Sequence, residues 1–293
     1  MNRFAVYTAI VGGYDNILQP EAVDERFDYI LFSNDVSEEK LGIWQVRKIP
    51  YTNPDPTRMA RWVKTHPEDL LPNYIASVWT DGNIVIKTEF VYSRIIELLQ
   101  RNTLVSCMWH NQRNCVYEEA EKLVTIGWEQ EKTFLAWTYK LRKEHYPEKN
   151  GLWETGFLLR IHSDNRIKRL NQLWWSCIDN YSRRDQISFP YALWKTGIEC
   201  PYFLSDSENV RNSTHFKYVY HDTGKSKRLP VQKNTIAHYY TKLYGTTNRE
   251  HLTRLYRSIY TSSTPRFKAF LVQLYYRIKC AYIFYLSPKI KTT

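Results

Sequence analysis

Short apolar segments alternate with helical patterns along most of this 293-residue chain, and no other feature restricts the fold as strongly. Strand-like apolar runs occupy residues 4–11, 28–33, 44–49, 74–79, 104–109 and 157–161. Helical periodicity begins near residues 57, 88, 118, 129 and 164. Strands that alternate with helices favour a mostly parallel, Rossmann-like sheet with helices on both faces. We therefore predict an α/β fold.

The C-terminal part of the chain is basic and aromatic, and it departs from the α/β pattern. We predict an α/β domain at 1–235 and a helical appendage at 236–293. In the appendage, aromatic and aliphatic residues between Phe267 and Tyr285 recur at helical spacing, with basic residues beside them. Such a helix carries too many charges for a membrane span. Two roles stay open: the helix packs on the domain, or it binds an anionic membrane surface.

The charge of the chain indicates an anionic partner. The formal net charge is +11, which is typical of proteins that bind nucleic acid, an anionic membrane or phosphate-bearing substrates. Charge alone does not choose among these three classes.

The cysteines and the N-terminus bear on the cellular compartment. The five cysteines contain no CxxC pair, and their odd number excludes complete pairing in disulfides within the chain, so we expect free thiols in a reducing compartment. The first residues run directly into the apolar segment 4–11, without the long apolar stretch of a signal peptide. We therefore expect a cytoplasmic protein.

An acidic turn follows the apolar run 74–79 and supplies the clearest chemical signal. Asp81 and Asn83 stand on either side of Gly82, so both side chains can direct an oxygen atom at a divalent cation. Such a cation would neutralise the diphosphate of a nucleotide ligand. The same tripeptide is also typical of an ordinary tight turn, and that interpretation stays open.

Two further segments could hold a nucleotide. The first strand ends in a turn with two glycines, where a nucleotide can approach the backbone at the carboxyl end of an open sheet. The candidate contacts in this segment are Thr8, Ala9, Gly12, Gly13, Tyr14 and Asp15. On the helix that begins near residue 57, Arg58, Arg61 and Lys64 recur three residues apart, so at least two of them face similar sides and could hold phosphates. A plain strand turn and a solvated basic face are the respective alternatives.

Six motifs follow one another between residues 7 and 189. They are YTAIVGGYD (7–15), RMARWVK with HP (58–67), WTDGN (79–83), HNQRNCVYEEA (110–120), GLWE (151–154) and RDQISF (184–189). In this order they resemble a known family, the glycosyltransferase-like domain found in plant mucilage-related proteins and in bacterial polysaccharide-synthesis loci. The resemblance covers roughly residues 4–191.

The resemblance implies a GT-A-like fold, a nucleotide-sugar donor and glycosyl transfer as the reaction. Such folds bind metal and diphosphate through an Asp-x-Asp element, and the turn 81–83 occupies its place, with Mn2+ or Mg2+ as the implied cofactor. Asn83 departs from that pattern, because an amide is a weaker ligand than a carboxylate. A histidine from the C-terminal side often completes such a site, which makes His221 the candidate, ahead of His215 and His238.

The resemblance also implies roles for individual polar residues. The implied catalytic residues are Asp81, Asp185, Gln186 and Glu154. Asp185 and Gln186 would lie beneath the donor sugar, where a carboxylate can orient a hydroxyl group or act as a base. A helix N-cap is the competing role for Asp185. His110 and Arg113 would contact the donor diphosphate or the acceptor.

We expect a glycosyltransferase that moves a sugar from a nucleotide to a growing surface polysaccharide or lipid-linked glycan, of the capsule or O-antigen type. The metal and basic side chains would stabilise the diphosphate as the glycosidic bond breaks. No nucleic acid is expected as a partner. Two alternatives remain: a non-catalytic protein that binds nucleic acid or another polyanion, suggested by charge and aromatic content, and a sugar-nucleotide-binding pseudoenzyme, suggested by Asn83.

Overall fold

A seven-stranded sheet is the framework of residues 4–221, the part of the chain that the structure, a computed structural model, describes. Its strands are β1 (Phe4–Ala9), β2 (Phe27–Phe32), β3 (Lys40–Leu41), β4 (Trp44–Arg47), β5 (Ala76–Thr80), β7 (Val105–Trp109) and β8 (Trp153–Ile161). The spatial order is β3-β4-β2-β1-β5-β8-β7. A separate two-stranded sheet consists of β6 (Ile84–Ile86) and β9 (Phe216–Tyr218).

The large sheet is mixed. Strand β1 is parallel to β2 and β5, and β2 is parallel to β4. Strand β8 is antiparallel to both β5 and β7, and β3 is antiparallel to β4. Strands β1, β2, β4, β5 and β7 therefore run in one direction, which confirms the predicted direction for most of the sheet. The reversed β8 is a difference from the simple parallel pattern, and it brings a second chain segment beside the end of β5.

Seven α-helices accompany the sheets in residues 4–221. They are α1 (Pro56–Thr65), α2 (Pro67–Leu70), α3 (Phe90–Gln100), α4 (Val116–Thr125), α5 (Glu131–Lys143), α6 (Asn165–Asn180) and α7 (Phe189–Thr196). A short 3-10 helix spans Asp185–Ile187. Helix α1 begins where the sequence predicts, because the Asp55 carboxylate accepts a hydrogen bond from the Thr57 N–H and Pro56 occupies the first turn.

Helices cover both faces of the large sheet, as predicted. Tyr7 of β1 lies in a buried cluster with Val63 of α1 and Trp174 of α6. Its neighbour Val6 lies in the cluster of the other face, with Ile95 of α3. Successive side chains of a strand point to opposite faces, so a strand that is buried on both sides needs a helical layer on each.

A bulge in β8 lies beside the end of β5. Cys107 of β7 pairs with Leu158, but the next residue, Met108, pairs with Glu154, so residues 155–157 of β8 have no partner on β7. Two of these residues contact the end of β5 on the other side: Phe157 pairs with Thr80, and the N–H of Asp81 donates to the carbonyl oxygen of Gly156 at 2.8 Å. Bulges re-aim side chains, and this one directs a short segment of β8 at the acidic turn.

Residues 4–221 divide into two units. The first contains residues 4–114, 149–179 and 183–221, and it holds both sheets. The second contains residues 115–148 and 180–182, with α4 and α5. Within the second unit, the Tyr117 hydroxyl donates to the carbonyl of Tyr146 at 2.8 Å, and the rings of Trp137 and Tyr181 lie 5.4 Å apart.

Several expectations fall on residues that the structure does not describe. These are the boundary between 1–235 and 236–293, the basic aromatic helix, His238 and Cys280. None of the four described cysteines, at positions 107, 115, 177 and 200, forms a disulfide, and all four are buried. Within residues 4–221, no helix has the length and apolar character needed to cross a membrane.

Candidate active site

Asp81 follows the last residue of β5, and its two carboxylate oxygens have different surroundings. Oδ1 accepts a hydrogen bond from the Trp79 indole N–H at 2.7 Å and lies 3.3 Å from Arg61 Nη1. The ammonium of Lys64 lies 3.8 Å from the same oxygen. Oδ2 accepts no hydrogen bond from any residue in the described range. One oxygen is thus held by two hydrogen bonds and a more distant ammonium, while the other is available to a ligand.

Two glycines let the acidic turn approach its neighbours closely. A Cβ atom at Gly82 would lie 3.1 Å from Ile10 Cγ1, next to the loop that follows β1. A Cβ atom at Gly156, in the β8 bulge, would lie 2.9 Å from Ile84 Cδ1 and 3.3 Å from Asp81 Oδ2. Both contacts are closer than most side-chain contacts, so larger residues at these positions would displace the side chains of Ile10, Ile84 or Asp81.

Asn83 is buried, and its amide group has a fixed orientation. Nδ2 donates to the carbonyl oxygen of Val219 at 2.9 Å, and the Val219 N–H donates back to the carbonyl of Asn83 at 2.9 Å. Because the amide nitrogen must face that carbonyl, Oδ1 is the atom that remains, and no described residue donates to it. A carboxylate could not make the first of these hydrogen bonds. Asn83 therefore joins the turn to the segment after β9 and still offers one oxygen.

His221 lies beside the loop that follows β1. Its Nδ1 is 2.6 Å from Asp15 Oδ1, and its ring centre is 4.9 Å from that of Tyr14. A carboxylate accepts, so Nδ1 is the donor, and in the neutral tautomer Nε2 is the nitrogen with the lone pair. Asp15 also approaches the acidic turn, since Oδ2 would lie 3.6 Å from a Cβ atom at Gly82. The structure thus brings the glycine turn, the acidic turn and His221 together.

Helix α1 directs two of its three basic residues at Asp81 and Asp185. Arg61 keeps 18% of its side chain exposed, whereas Lys64 has no exposed surface. The Lys64 ammonium lies 5.4 Å from the centre of the Trp79 ring and 5.6 Å from that of Trp174. Lys64 is therefore a buried cation behind Asp81, and Arg61 is the member of the pair that reaches the surface.

Asp185 is the buried anion that balances these cations. Oδ2 lies 2.5 Å from Lys64 Nζ and accepts a hydrogen bond from the Thr155 hydroxyl at 2.8 Å, and Oδ1 lies 2.9 Å from Arg61 Nε. Burial opposes ionisation, yet the neighbouring Arg61 and Lys64 hold the pKa of Asp185 well below its ordinary value. Burial lowers the pKa of Lys64, and Asp185 opposes that effect. Asp185 stays ionised and holds both cations in place.

A comparison with models of protein families identifies the family of this chain. The model of the TOD1/MUCI70 glycosyltransferase-like domain matches residues 1–221. This chain belongs to the TOD1/MUCI70 family. The suspected family is thereby confirmed, and glycosyl transfer is the class of reaction that membership assigns to the chain.

The solved structures that align with part of this chain include two glycosyltransferases. The apo structure of the bifunctional glycosyltransferase WbbM aligns with a TM-score of 0.43 and 11% identity, over 69% of this chain and 38% of WbbM. Core-mannan synthase A (CmsA/Ktr4) from Aspergillus fumigatus, in its Mn/GDP form, aligns with a TM-score of 0.40 and 11% identity, over 66% of this chain and 70% of that one. No curated protein shows significant sequence similarity to the chain.

Some residues predicted to bind the donor have local structural partners in this TOD1/MUCI70 domain. Arg58 donates to the carbonyl oxygens of Ile178 and Asp179 at the end of α6. His110 is buried, and its Nδ1 accepts from the backbone N–H groups of Gln112 and Arg113 at 3.3 and 3.0 Å. These contacts close a helix end and a turn. These structural contacts explain the presence of Arg58 and His110 without any contact with the donor.

The remaining residues predicted to bind the donor or metal differ in their burial and in their partners. Arg113 donates to the side chain of Gln112 at 3.0 Å. Thr8 and Ala9 are buried in β1, and the Thr8 hydroxyl has no hydrogen-bond partner among residues 4–221. His215 lies elsewhere, stacked on Phe90 with a ring distance of 4.2 Å. Gly12 and Gly13 both have positive φ, of 71° and 59°, a conformation that glycine adopts more readily than other residues.

Glu154 and Gln186, the other predicted catalytic residues, flank the buried cluster. Glu154 is buried and forms an ion pair with Arg211, whose guanidinium lies 4.3 Å from the centre of the Tyr218 ring. Gln186 is partly exposed, and it makes no hydrogen bond within the described range. Arg211 and Thr155 contribute to the site through contacts that sequence spacing does not reveal, although Thr155 directly follows the predicted GLWE motif.

The residue types around the acidic turn suit a divalent cation. The described range contains no group of three His, Cys, Asp or Glu side chains placed to bind a metal. Asn83 lies outside that count, and carboxylate and amide oxygens such as those of Asp81 and Asn83 are ligand types suited to Mg2+ or Mn2+. His221 adds a ring nitrogen, Nε2, opposite the Nδ1–H that is bonded to Asp15, and this arrangement is common for metal-binding histidines.

Proposed function

We propose that the chain transfers a sugar from a nucleotide-sugar donor to a growing surface polysaccharide or lipid-linked glycan. The observation that carries the proposal is the asymmetric environment of Asp81: one oxygen is held by Trp79 and Arg61, and the other is open. Family membership supports glycosyl transfer, and the motif resemblance to polysaccharide-synthesis proteins supports the acceptor class.

Asp81, Asn83 and His221 are the residues proposed to hold Mn2+ or Mg2+. When bound, the cation would supply positive charge at the donor diphosphate. Arg61 has exposed surface beside Asp81, so its guanidinium can contact the same phosphates. The glycine turn 12–13 and Tyr14 would lie along the nucleotide, since they adjoin the acidic turn through Asp15.

The proposed roles of the buried acids follow from their partners. Asp185 is ionised and fully engaged, so we assign it to holding Arg61 and Lys64 rather than to accepting a proton. Glu154 and Gln186 are the candidates for contact with the sugars, and Glu154 is kept near the site by Arg211. We further propose a cytoplasmic location, which the odd number of cysteines and the lack of a CxxC pair support. We also propose that the predicted C-terminal helix binds the inner membrane surface.

Ligand-induced stabilisation tests the proposal. Wild-type protein, Asp81→Ala and the control Asp164→Ala are heated with UDP, GDP, CMP and their sugars, with and without Mn2+. Asp164 is a matched control because it is a partly exposed acid paired with an arginine, Arg166. A ligand at 100 times its Kd stabilises the folded state by about 2.7 kcal/mol, which raises Tm by several degrees.

We expect one nucleotide to stabilise the wild type and Asp164→Ala in a Mn2+-dependent way, and Asp81→Ala to lose that gain. If no nucleotide stabilises the wild type, or if Asp81→Ala gains as much, the donor site is elsewhere or absent. Salt-sensitive oligonucleotide binding in place of nucleotide binding would favour the polyanion-binding alternative. Stabilisation without turnover of any nucleotide sugar would favour the pseudoenzyme.

A further inference from the structure

Arg160 of β8 is a buried cation outside the predicted motifs. Its side chain has no exposed surface, and it forms no ion pair with any residue in the described range. Nη1 donates to Asn171 Oδ1 at 2.7 Å, and Nη2 donates to the Tyr7 hydroxyl at 2.5 Å and to the carbonyl of Lys64. Asn171 donates in turn to Glu68 at 2.8 Å, so the nearest carboxylate is reached through an amide.

The carbonyl of Lys64 is the point where this network meets helix α1. Lys64 is the penultimate residue of α1, and the last four carbonyls of a helix have no partner within it. Here Arg160 and the Tyr7 hydroxyl, at 2.9 Å, both donate to that carbonyl. Burial raises the pKa of Tyr7, so its hydroxyl remains a donor at ordinary pH. The end of α1 is therefore fixed to two strands.

The strands β1 and β8 flank β5, which carries Trp79, the residue that donates to Asp81. Tyr7 of β1 and Trp79 of β5 are paired in register, with rings 5.2 Å apart, and β8 lies on the other side of β5. Trp79 donates to Asp81 Oδ1. The Arg160 network thus fixes the end of α1 against the strands that position Asp81, and Arg61 lies one turn earlier on that helix.

Burial of the Arg160 guanidinium costs free energy, which indicates that the geometry of its hydrogen bonds has a role. A buried guanidinium without a directly paired carboxylate is unfavourable, and apolar side chains of similar volume would fill the space at lower cost. The hydrogen bonds to Asn171, Tyr7 and Lys64 offset that cost only in one arrangement of the strands and the helix. Such a network favours a single orientation of α1 over looser alternatives.

We propose that Arg160 and Tyr7 are positioning residues that hold Arg61 beside Asp81 and thereby set the affinity for the donor diphosphate. This inference rests on the proposed function, because it takes Arg61 to contact the diphosphate. It assigns no contact with substrate to Arg160 or Tyr7 themselves.

A double-mutant cycle tests the inference on the full-length protein. The probe is whichever of UDP, GDP or CDP binds the wild type in Mn2+, measured by calorimetry. Tyr7→Phe is measured alone and together with Arg61→Met, and Tyr92→Phe is the control. Tyr92 matches Tyr7 closely: it is fully buried, and its hydroxyl donates to a backbone carbonyl, that of Ala22, at 2.7 Å.

We expect Tyr7→Phe to weaken diphosphate binding about fivefold in the wild-type background, the usual effect of one lost hydrogen bond. In the Arg61→Met background, the same change should have less than about a twofold effect, since the residue that it positions is absent. Tyr92→Phe should leave the affinity unchanged in both backgrounds. Arg160→Lys, which keeps the charge but not the branched geometry, should weaken binding more than Tyr7→Phe does.

The inference is overturned if Tyr7→Phe leaves the affinity unchanged, or if its effect is equal in both backgrounds or is matched by Tyr92→Phe. In each of those cases, diphosphate binding by the wild type and a measurably weaker affinity in Arg61→Met would leave the proposed function standing. If no diphosphate binds the wild type, or if Arg61→Met binds normally, the failure lies in the proposed donor site, and the inference falls with it.

Discussion

Replacement of Asp185 by asparagine should destabilise the protein far more than the loss of a surface acid. The substitution keeps the shape of the side chain but removes the charge that lies 2.5 Å from Lys64 Nζ and 2.9 Å from Arg61 Nε. Lys64 has no exposed surface, and its next carboxylate oxygen, on Asp81, is 3.8 Å away. Removal of one partner from a buried ion pair costs about 3–5 kcal/mol. For a domain of this size the loss corresponds to a Tm lower by about 10 °C.

The assay is urea unfolding at pH 7, with two further variants that separate charge from packing. Asp164→Asn removes an acid whose arginine partner is largely exposed, so it should cost less than about 1 kcal/mol. The double variant Lys64→Met/Asp185→Asn should be more stable than Asp185→Asn alone, because it no longer buries an unbalanced ammonium. A loss below about 1 kcal/mol in Asp185→Asn, or a double variant that is less stable than that single one, would refute the argument.

Three shorter predictions concern the same site. The pKa of Asp185 is held low in the folded state, so its contribution to stability is complete above about pH 4 and declines as the pH falls further. Urea unfolding between pH 5 and 2 should therefore show a smaller decline in the free energy of unfolding for Asp185→Asn than for wild type. Gly156→Ala should fold but lose about tenfold in turnover, since its Cβ displaces Ile84 or Asp81, and normal turnover would contradict this. Asn83→Asp should lower Tm by several degrees and weaken Mn2+ binding, because a carboxylate would face the Val219 carbonyl; tighter Mn2+ binding in a titration would contradict it.

The layered α/β framework could be predicted because it depends on local patterns. The apolar runs that became β1, β2, β5 and β7 begin within about two residues of the predicted positions, since burial on both faces leaves a continuous apolar segment. Strand β9 is only three residues long, Phe216–Tyr218, and its pairing with β6 depends on contacts distant in sequence. Such a segment has too little pattern of its own to predict a strand.

The acidic turn could also be predicted from the sequence, but the burial of the residues around it could not. Asp81 stands at the end of a buried strand, and strand ends at the carboxyl side of an open sheet are where ligands bind. For Lys64, the sequence allows a phosphate contact or a solvated basic face, and neither is a buried ion pair, because Lys is rarely buried unless it is paired. Its partner Asp185 is 121 positions away, and no local pattern predicts that pair.

Turnover of a nucleotide sugar by matched variants tests the central claim most directly. Release of the nucleoside diphosphate is measured with the donor identified by thermal shift, in Mn2+, for wild type, Asp81→Ala and Asp164→Ala. The account predicts that Asp164→Ala retains the wild-type rate and that Asp81→Ala, which lacks the carboxylate held by Trp79 and Arg61, loses at least about a hundredfold. Wild-type turnover by Asp81→Ala would contradict the assignment of the active site.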